Sequence, residues 1–351
     1  MINVSNWDEI RAHYEDYWNL RNKTPVVYLA APKEGGSYDY EEPTPEQFWF
    51  DPKWNAGANR HSYENTFYAL DGYPYVSPSL GPYTLSGLLG QEIVYNETSS
   101  WIRHWDRPLS EITDFSYRED NFYLKKMEEF LRYYTEDAKN VDYIVGTSDL
   151  NCMYDGVAAL IGAESLCYEM MDSPDDVKRV VKGYNDLFKQ IYRRFTAIVT
   201  KYQRGTTNWL GVYSDIPWYY ISNDFMVMIS RASFDEFVAE PLRDLAAFIG
   251  RVLFHLDGEN MTYHLDSLLQ MKELTGIQVQ ATPAVQSAKF WIPYLKRIQE
   301  AGKCFWIEAR NADEVQELME NLRPEGMFIK TWAESEAEAR ELEARVKRFY
   351  R

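Results

Sequence analysis

A short apolar segment at residues 250–258 ends in two side chains that could do acid–base or metal chemistry. It has the sequence GRVLFHLDG, in which His255 and Asp257 follow three apolar residues. Because side chains alternate along a strand, His255 and Asp257 share one face. An imidazole and a carboxylate at the end of a buried strand, next to a glycine, are typical of the active mouth of a parallel barrel. We interpret both residues as catalytic rather than as part of a structural hydrogen-bond network.

Polar side chains also end the other predicted strands. They are Asp149, Asp215, Gln278, Gln280, Glu308 and Lys330. Strand interiors of a barrel normally hold branched apolar residues, so these polar groups require a ligand or a satisfied network. We interpret Asp215 and Glu308 as catalytic and the other four as substrate-binding. Two alternatives stay open, since the amides of Gln278 and Gln280 can bridge neighbouring strands and Lys330 can be an ion-pair partner of Glu308.

Aromatic residues border the same predicted mouth. They are Trp209, Tyr213, Trp218, Tyr219 and Tyr220. Such rings could stack on a flat or apolar ligand, and we include Trp209, Tyr213 and Trp218 among the substrate-binding candidates. Packing of a lid explains these rings equally well.

The elements that must position these side chains alternate between strands and helices. The predicted strands are 26–30, 73–77, 142–149, 209–215, 252–257, 277–281, 304–309 and 327–331. The predicted helices are 5–22 with Ser5 as its N-cap, 61–70, 121–138, 155–171, 174–202, 233–248, 262–274, 289–301, 312–322 and 334–349. The strand-like stretch 225–230 follows Asp215 after only nine residues, too few for a parallel crossover, so we predict a loop there.

Eight strands alternating with helices predict an α/β fold of the (β/α)8 barrel type. The chain of 351 residues is expected to form one domain, 1–351, with cap and lid segments mainly at 33–70 and 80–140. No glycine-rich phosphate loop opens a helix, which argues against a dinucleotide-binding fold.

Composition excludes several classes of partner. A formal net charge of −17 disfavours nucleic acid and anionic membranes, both of which require basic surface. Three scattered cysteines do not form a disulfide framework and fit a reducing compartment. Without a leader-like N-terminus or a long apolar stretch, the sequence predicts a cytoplasmic protein.

Four segments resemble the uroporphyrinogen decarboxylase superfamily, which includes corrinoid-dependent methyltransferases. They are FHLDG at 254–258, SNDFMVMISRASFDEFVAEPL at 222–242, DGVAALIGAESLCYEMMDSPDDV at 155–177 and GMFIKTWAESEAEA at 326–339. The resemblance covers about residues 70–350. It implies a (β/α)8 barrel, a homodimer and, for a methyltransferase, a partner protein that carries a corrinoid.

The same comparison identifies what this chain lacks. The arginine-rich segment that grips substrate carboxylates in the porphyrinogen decarboxylases is replaced by YLAAPKEGGSYDY, with only Lys33, which argues against that activity. The methyltransferases bind zinc through His-x-Cys and a later cysteine. Here Asp257 stands in place of the first cysteine, and 329–333 contains none. A zinc ion without thiolate ligands would be held by His255, Asp257 and Glu308.

Three functions follow from these residues. The leading hypothesis is methyl transfer from a small O- or N-methylated substrate to a corrinoid protein, with His255 as metal ligand or general acid. The second is a decarboxylase or lyase that uses carboxylates and His255 without metal. The third is a non-catalytic binder of a small molecule.

Overall fold

The computed structural model describes residues 6–282, 285 and 287–350, and its centre is a mainly parallel sheet surrounded by helices. The strands are β1 (Val26–Pro32), β2 (Thr66–Leu70), β3 (Tyr75–Val76), β4 (Ile93–Tyr95), β5 (Ser100–Ile102), β6 (Ile144–Val145), β7 (Tyr219–Ile221), β8 (Val252–Asp257), β9 (Gly276–Gln280), β10 (Cys304–Ala309) and β11 (Met327–Trp332).

Helices follow most strands. They are α1 (Trp7–Trp18), α2 (Pro45–Phe50), α3 (Pro52–Glu64), α4 (Thr84–Leu88), α5 (Phe122–Val141), α6 (Met153–Ile161), α7 (Ala163–Asp172), α8 (Pro174–Thr200), α9 (Arg231–Ser233), α10 (Ala239–Ile249), α11 (Leu265–Leu269), α12 (Ala288–Glu300), α13 (Ala312–Asn321) and α14 (Glu336–Phe349). Short 3₁₀ segments lie at Leu109–Glu111, Asp224–Met228 and Glu259–His264, and a π-helical turn lies at Phe234–Val238. Within the described part of the chain, no helix has the length and apolar character needed to cross a bilayer.

The main sheet has seven strands in the order β2-β1-β11-β10-β9-β8-β7. All neighbours pair in parallel except β1 and β2, which are antiparallel. A separate parallel ladder joins β3 to β6, and β4 with β5 forms a hairpin. Buried apolar side chains from α1 through α14 form one continuous cluster around these strands, which holds the strand ends in fixed positions.

A closed barrel, which the sequence predicted, is not formed by backbone pairing. Among the described strands, no ladder joins β1 to β3 or β6 to β7. The physical reason at one side is β2, which pairs with β1 along the edge that a closing strand would require. Side chains make the connection instead: the Tyr28 hydroxyl donates to the carbonyl of Tyr73 at 2.8 Å, and the Tyr219 hydroxyl donates to the carbonyl of Ser148 at 3.0 Å.

Two predicted elements near the mouth are wrong. The stretch 209–215 belongs to a turn that is closed by an antiparallel bridge between Thr206 and Ser214. The strand of this region is β7, which begins a few residues later. The predicted helix at 61–70 ends at Glu64, because the β-branched and aromatic sequence of Thr66–Leu70 pairs with β1.

Other elements agree more closely with the sequence. The bounds predicted for β8 and β10 are confirmed, and 225–230 is not a strand. The predicted helix at 155–171 is two helices, since Gly162 adopts a positive φ of 92° between α6 and α7. Helix α1 begins at Trp7 and ends at Trp18, and the predicted cap Ser5 lies outside the described residues.

Candidate functional site

The register of β8 and β9 places His255 beside Gln278 and Asp257 beside Gln280. The Nδ1 atom of His255 bonds to Oε1 of Gln278, and Nε2 of Gln278 donates to Oε1 of Gln280 at 3.1 Å. Because an amide oxygen only accepts, Nδ1 of His255 must carry the proton. In the neutral ring the lone pair is then on Nε2, the atom free to bind a metal or a proton.

Asp224, His255 and Asp257 form a group that could hold a metal ion. Each offers one ligand atom, and these atoms lie within 4.8 Å of one another. One imidazole nitrogen and two carboxylate oxygens are a donor set that zinc accepts in catalytic sites. His255 is half-buried and the two aspartates are exposed, so the group is reachable from solvent.

Asp155 holds Asp224 in this position. Its carboxylate accepts hydrogen bonds from the backbone N–H groups of Asp224 and Phe225, both at 2.8 Å, and from the Ser222 hydroxyl at 3.2 Å. Burial, followed by the charge of Asp224, raises the pKa of Asp155 to about 7. Asp224 is exposed as a residue, but partial desolvation of its carboxylate, followed by the charge of Asp257, raises its pKa to about 6. A bound cation would offset this crowding of like charges.

Asp149 is paired with Tyr220 of β7. The Tyr220 hydroxyl donates to the Asp149 carboxylate. Burial raises the pKa of Asp149 above the usual range of a carboxylic acid, although the hydrogen bond from Tyr220 and the charge of His255 oppose the shift. A carboxyl group in this environment can hold a proton nearer to neutral pH than an exposed aspartate.

A cavity of about 600 Å³ connects these groups. Its lining includes Asp149, Asp155, Trp209, Tyr220, Asp224 and His255. The Trp209 ring meets Tyr220 edge-on at 5.4 Å and His255 at 5.9 Å between ring centroids. The volume suits a small organic molecule.

Lys330 contacts the backbone of Trp209, a residue that lines the cavity. Its ammonium donates to the carbonyl of Trp209 at 3.3 Å and to the hydroxyl of Tyr75 at 3.2 Å, and Tyr75 in turn donates to the same carbonyl at 2.8 Å. Lys330 therefore fixes the backbone that carries the Trp209 ring. Glu308 is its register partner on β10, but the structure shows no ion pair between the two among the described residues.

Several predicted site residues are not brought to the cavity. Glu308 is exposed at the end of β10 and is outside the group of possible metal ligands. Asp215 accepts from Arg204 and from the Tyr213 hydroxyl, and its backbone N–H donates to Glu15 of α1. Since Glu15 also pairs with Arg251, which precedes β8, this cluster lies at the end of the sheet opposite to Asp257.

Tyr213 and Trp218 lie in the packed interior below the sheet. Tyr213 contacts Trp7 edge-on at 5.0 Å, and Trp218 packs against Trp18 at 5.0 Å. The sequence placed the strand at 209–215, whereas the strand is β7. Tyr213 and Trp218 therefore precede the strand and do not lie at its C-terminal end. Both side chains are fully buried, so packing accounts for them.

None of the three cysteines, all within the described chain, belongs to the candidate metal group. Cys152 and Cys304 are buried, and burial raises the pKa of both thiols. A thiolate ligand set is therefore not assembled here.

Asp224 is the residue that sequence reasoning missed. It follows β7 by three positions, so a correct placement of that strand would have put it at the mouth. Tyr220 was recognised only as a bordering aromatic, yet its position on β7 makes it the partner of Asp149.

Comparisons with known proteins find a similar fold among solved structures. No protein-family model matches the chain, and no curated protein matches it. Among solved structures, a methyltransferase from Methanosarcina mazei superposes with a TM-score of 0.62 at 12% sequence identity, covering 97% of this chain and 99% of that one. The homocysteine methyltransferase MmuM from Escherichia coli, in its oxidized form, covers 98% of this chain and 86% of its own at 14% identity, but its TM-score of 0.32 supports no argument.

The likeness to the Methanosarcina mazei protein establishes a shared fold. It confirms, at the level of the fold, the resemblance drawn from the sequence. At 12% identity the reaction has to be argued from the site itself.

Proposed function

We propose that the protein is a methyltransferase that moves a methyl group from a small methylated substrate to a nucleophilic acceptor, with zinc held by Asp224, His255 and Asp257. The observation that carries the proposal is the convergence of these three ligand atoms beside a cavity of about 600 Å³. The fold shared with a methyltransferase supports the same reaction class.

The residues around the group suit metal binding. Gln278 keeps the proton of His255 on Nδ1 and leaves Nε2 for the ion, and Asp155 fixes the loop that carries Asp224. A bound zinc ion would supply Lewis acidity to a substrate or acceptor atom. Trp209 and Tyr220 would exclude water from the reacting groups.

The chemistry requires a nucleophile that the chain does not contribute. The bond between the methyl carbon and its heteroatom breaks, the leaving group keeps that electron pair, and the acceptor supplies the pair for the new bond. We propose a reduced corrinoid carried by a separate protein as this acceptor, in line with the superfamily resemblance.

We also propose that the parallel strands are arranged as a (β/α)8 barrel in which β3 and β6 occupy the gap between the β1–β2 edge and β7. Hydrogen bonds from Tyr28 and Tyr219 support this arrangement. It would direct the ends of all parallel strands to one mouth.

Metal analysis tests the proposal. Protein purified without chelator is expected to contain stoichiometric zinc, and His255→Ala or Asp257→Asn is expected to remove it. Asp244→Asn, which changes an exposed carboxylate paired with Lys189, serves as the matched control. Protein that folds, lacks zinc and does not bind added zinc would contradict the proposal.

A metal-free lyase is the second candidate, and one observation favours it. Asp149 combines a raised pKa with a direct hydrogen bond from Tyr220, so it could act as a general acid. Chelation distinguishes the two functions, because activity that persists after exhaustive removal of metal supports the lyase.

A further inference from the structure

We propose that the cavity beside His255 recognises a small organic cation that carries N-methyl groups, such as a quaternary ammonium compound. This inference rests on the proposed function and selects among the substrates that it allows. Three observations carry it: the charge of the lining, the aromatic rings in it and the apolar wall between them.

The lining is acidic and contains no lysine or arginine among the described residues. Three aspartates line the cavity. Asp155 is occupied by the loop that it holds, as described above. The Asp149 carboxylate accepts a hydrogen bond from the neutral Tyr220 hydroxyl, and no lysine or arginine of the described chain forms an ion pair with it. A partly buried carboxylate without a lysine or arginine partner favours a positively charged ligand.

Aromatic rings complete the recognition surface. Tyr83, Trp209, Tyr220 and Phe225 all line the cavity with Asp149. The Trp209 and Tyr220 rings lie at 86° to each other, so they present a face and an edge at the same corner. Aromatic faces attract ammonium cations, and tryptophan is the strongest of them.

Much of the remaining wall is apolar, which suits methyl groups better than N–H donors. It includes Ile102, Ala158, Ala159, Ala163 and Met228. An alkylated ammonium ion has little need of hydrogen bonds and can bury its methyl groups there. Loss of one methyl group to the acceptor would leave a neutral tertiary amine that retains the electron pair of the broken bond.

Binding calorimetry with two isosteric probes tests the inference. Choline and 3,3-dimethyl-1-butanol have the same shape, but the alcohol replaces the charged nitrogen with carbon. We expect choline to bind at least about tenfold more tightly than the alcohol, which is the range of a desolvated cation–π contact together with a carboxylate. Asp149→Asn and Trp209→Leu should remove most of this preference while the affinity for the alcohol stays unchanged. Asp149→Asn keeps an oxygen that accepts from Tyr220, so the cavity wall should remain folded.

The control variant is Asp244→Asn, which neutralises an exposed aspartate outside the cavity and should leave the choline preference intact. Equal affinity for choline and the alcohol, or no saturable binding of choline, would overturn the inference. The assay contains neither metal nor acceptor, so its result is separate from the proposed function. A choline preference in protein that binds no zinc supports the cation site and contradicts the metal-dependent transfer. Stoichiometric zinc without a choline preference supports the metal site of the proposed function and overturns the cation site.

Discussion

Gln278 accepts a hydrogen bond from Nδ1 of His255 across the β8–β9 ladder, and Gln280 fixes the amide of Gln278 in that orientation. The two glutamines therefore determine which nitrogen of His255 faces the neighbouring aspartates. Partners of this kind fix the tautomer and the ring orientation of a metal-binding histidine, so their loss weakens metal binding.

Replacing Gln278 is expected to weaken metal binding without removing a ligand. Gln278→Leu keeps the volume of the side chain but leaves Nδ1 of His255 without an acceptor, so both ring tautomers become populated. We expect zinc affinity to fall by roughly 10- to 100-fold, as measured by competition with a chromophoric chelator. Gln270→Leu, at an exposed position, is the control. Unchanged zinc affinity in folded Gln278→Leu would mean that the orientation of His255 does not depend on this bond.

The identity of the third metal ligand can be decided by two variants. The structure places Asp224 in the candidate group, whereas the sequence predicted Glu308. We therefore expect Asp224→Asn to lose most of its zinc and Glu308→Gln to retain it, since a carboxamide is a poor zinc ligand. Zinc content by plasma emission spectroscopy measures both. If Glu308→Gln lost zinc and Asp224→Asn retained it, the third ligand would be Glu308, as the sequence predicted.

Strand-end reasoning succeeded where the strands are long and apolar. His255 and Asp257 end a six-residue strand with a clear pattern, and their β9 neighbours follow from the parallel register. The same reasoning failed at β7, which has only three residues. The preceding turn is as rich in aromatic and apolar residues as the strand, because both are packed in the core. Local pattern could not distinguish them, so Asp215 was assigned to the wrong end of the sheet and Asp224 was missed.

Closure of the barrel was beyond sequence reasoning for a different reason. Whether β2 pairs with β1 depends on contacts between segments far apart in the chain. A strand of five residues after a helix gives no local indication of its partner.

Asp155 is expected to act as a positioning residue for the metal site. Asp155→Asn retains one oxygen and cannot accept all three hydrogen bonds from Ser222, Asp224 and Phe225. We expect the free energy of unfolding to fall by about 1–3 kcal/mol, the range for lost bonds to a buried acceptor. Zinc affinity should fall as well, because the loop that carries Asp224 is loosened. Urea unfolding and zinc titration measure the two effects. A loss of stability with unchanged zinc affinity would show that Asp155 supports only the fold.

Stability should depend on pH through His13, which lies far from the cavity. Its Nδ1 donates to Asp71 at 2.7 Å and its Nε2 donates to the carbonyl of Thr24 at 3.0 Å, so both ring nitrogens carry protons. Burial lowers the pKa of His13, but the charge and hydrogen bond of Asp71, with the bond to Thr24, outweigh it and raise the pKa to about 9. A folded-state pKa above the unfolded value of 6.5 stabilises the protein fully below pH 6.5, and this contribution is lost as the pH rises to about 9.

The expected loss across this window is on the order of 3 kcal/mol. Urea unfolding between pH 6 and 9.5 measures it in the native protein and in His13→Gln, which can still donate to Asp71. The variant should be less stable below pH 6.5 and should lack this part of the pH dependence. His61→Gln is the control, because it removes a histidine of α3 that is outside the His13–Asp71 pair. Parallel curves for the native protein and His13→Gln would show that the His13–Asp71 pair is not charged in the folded state.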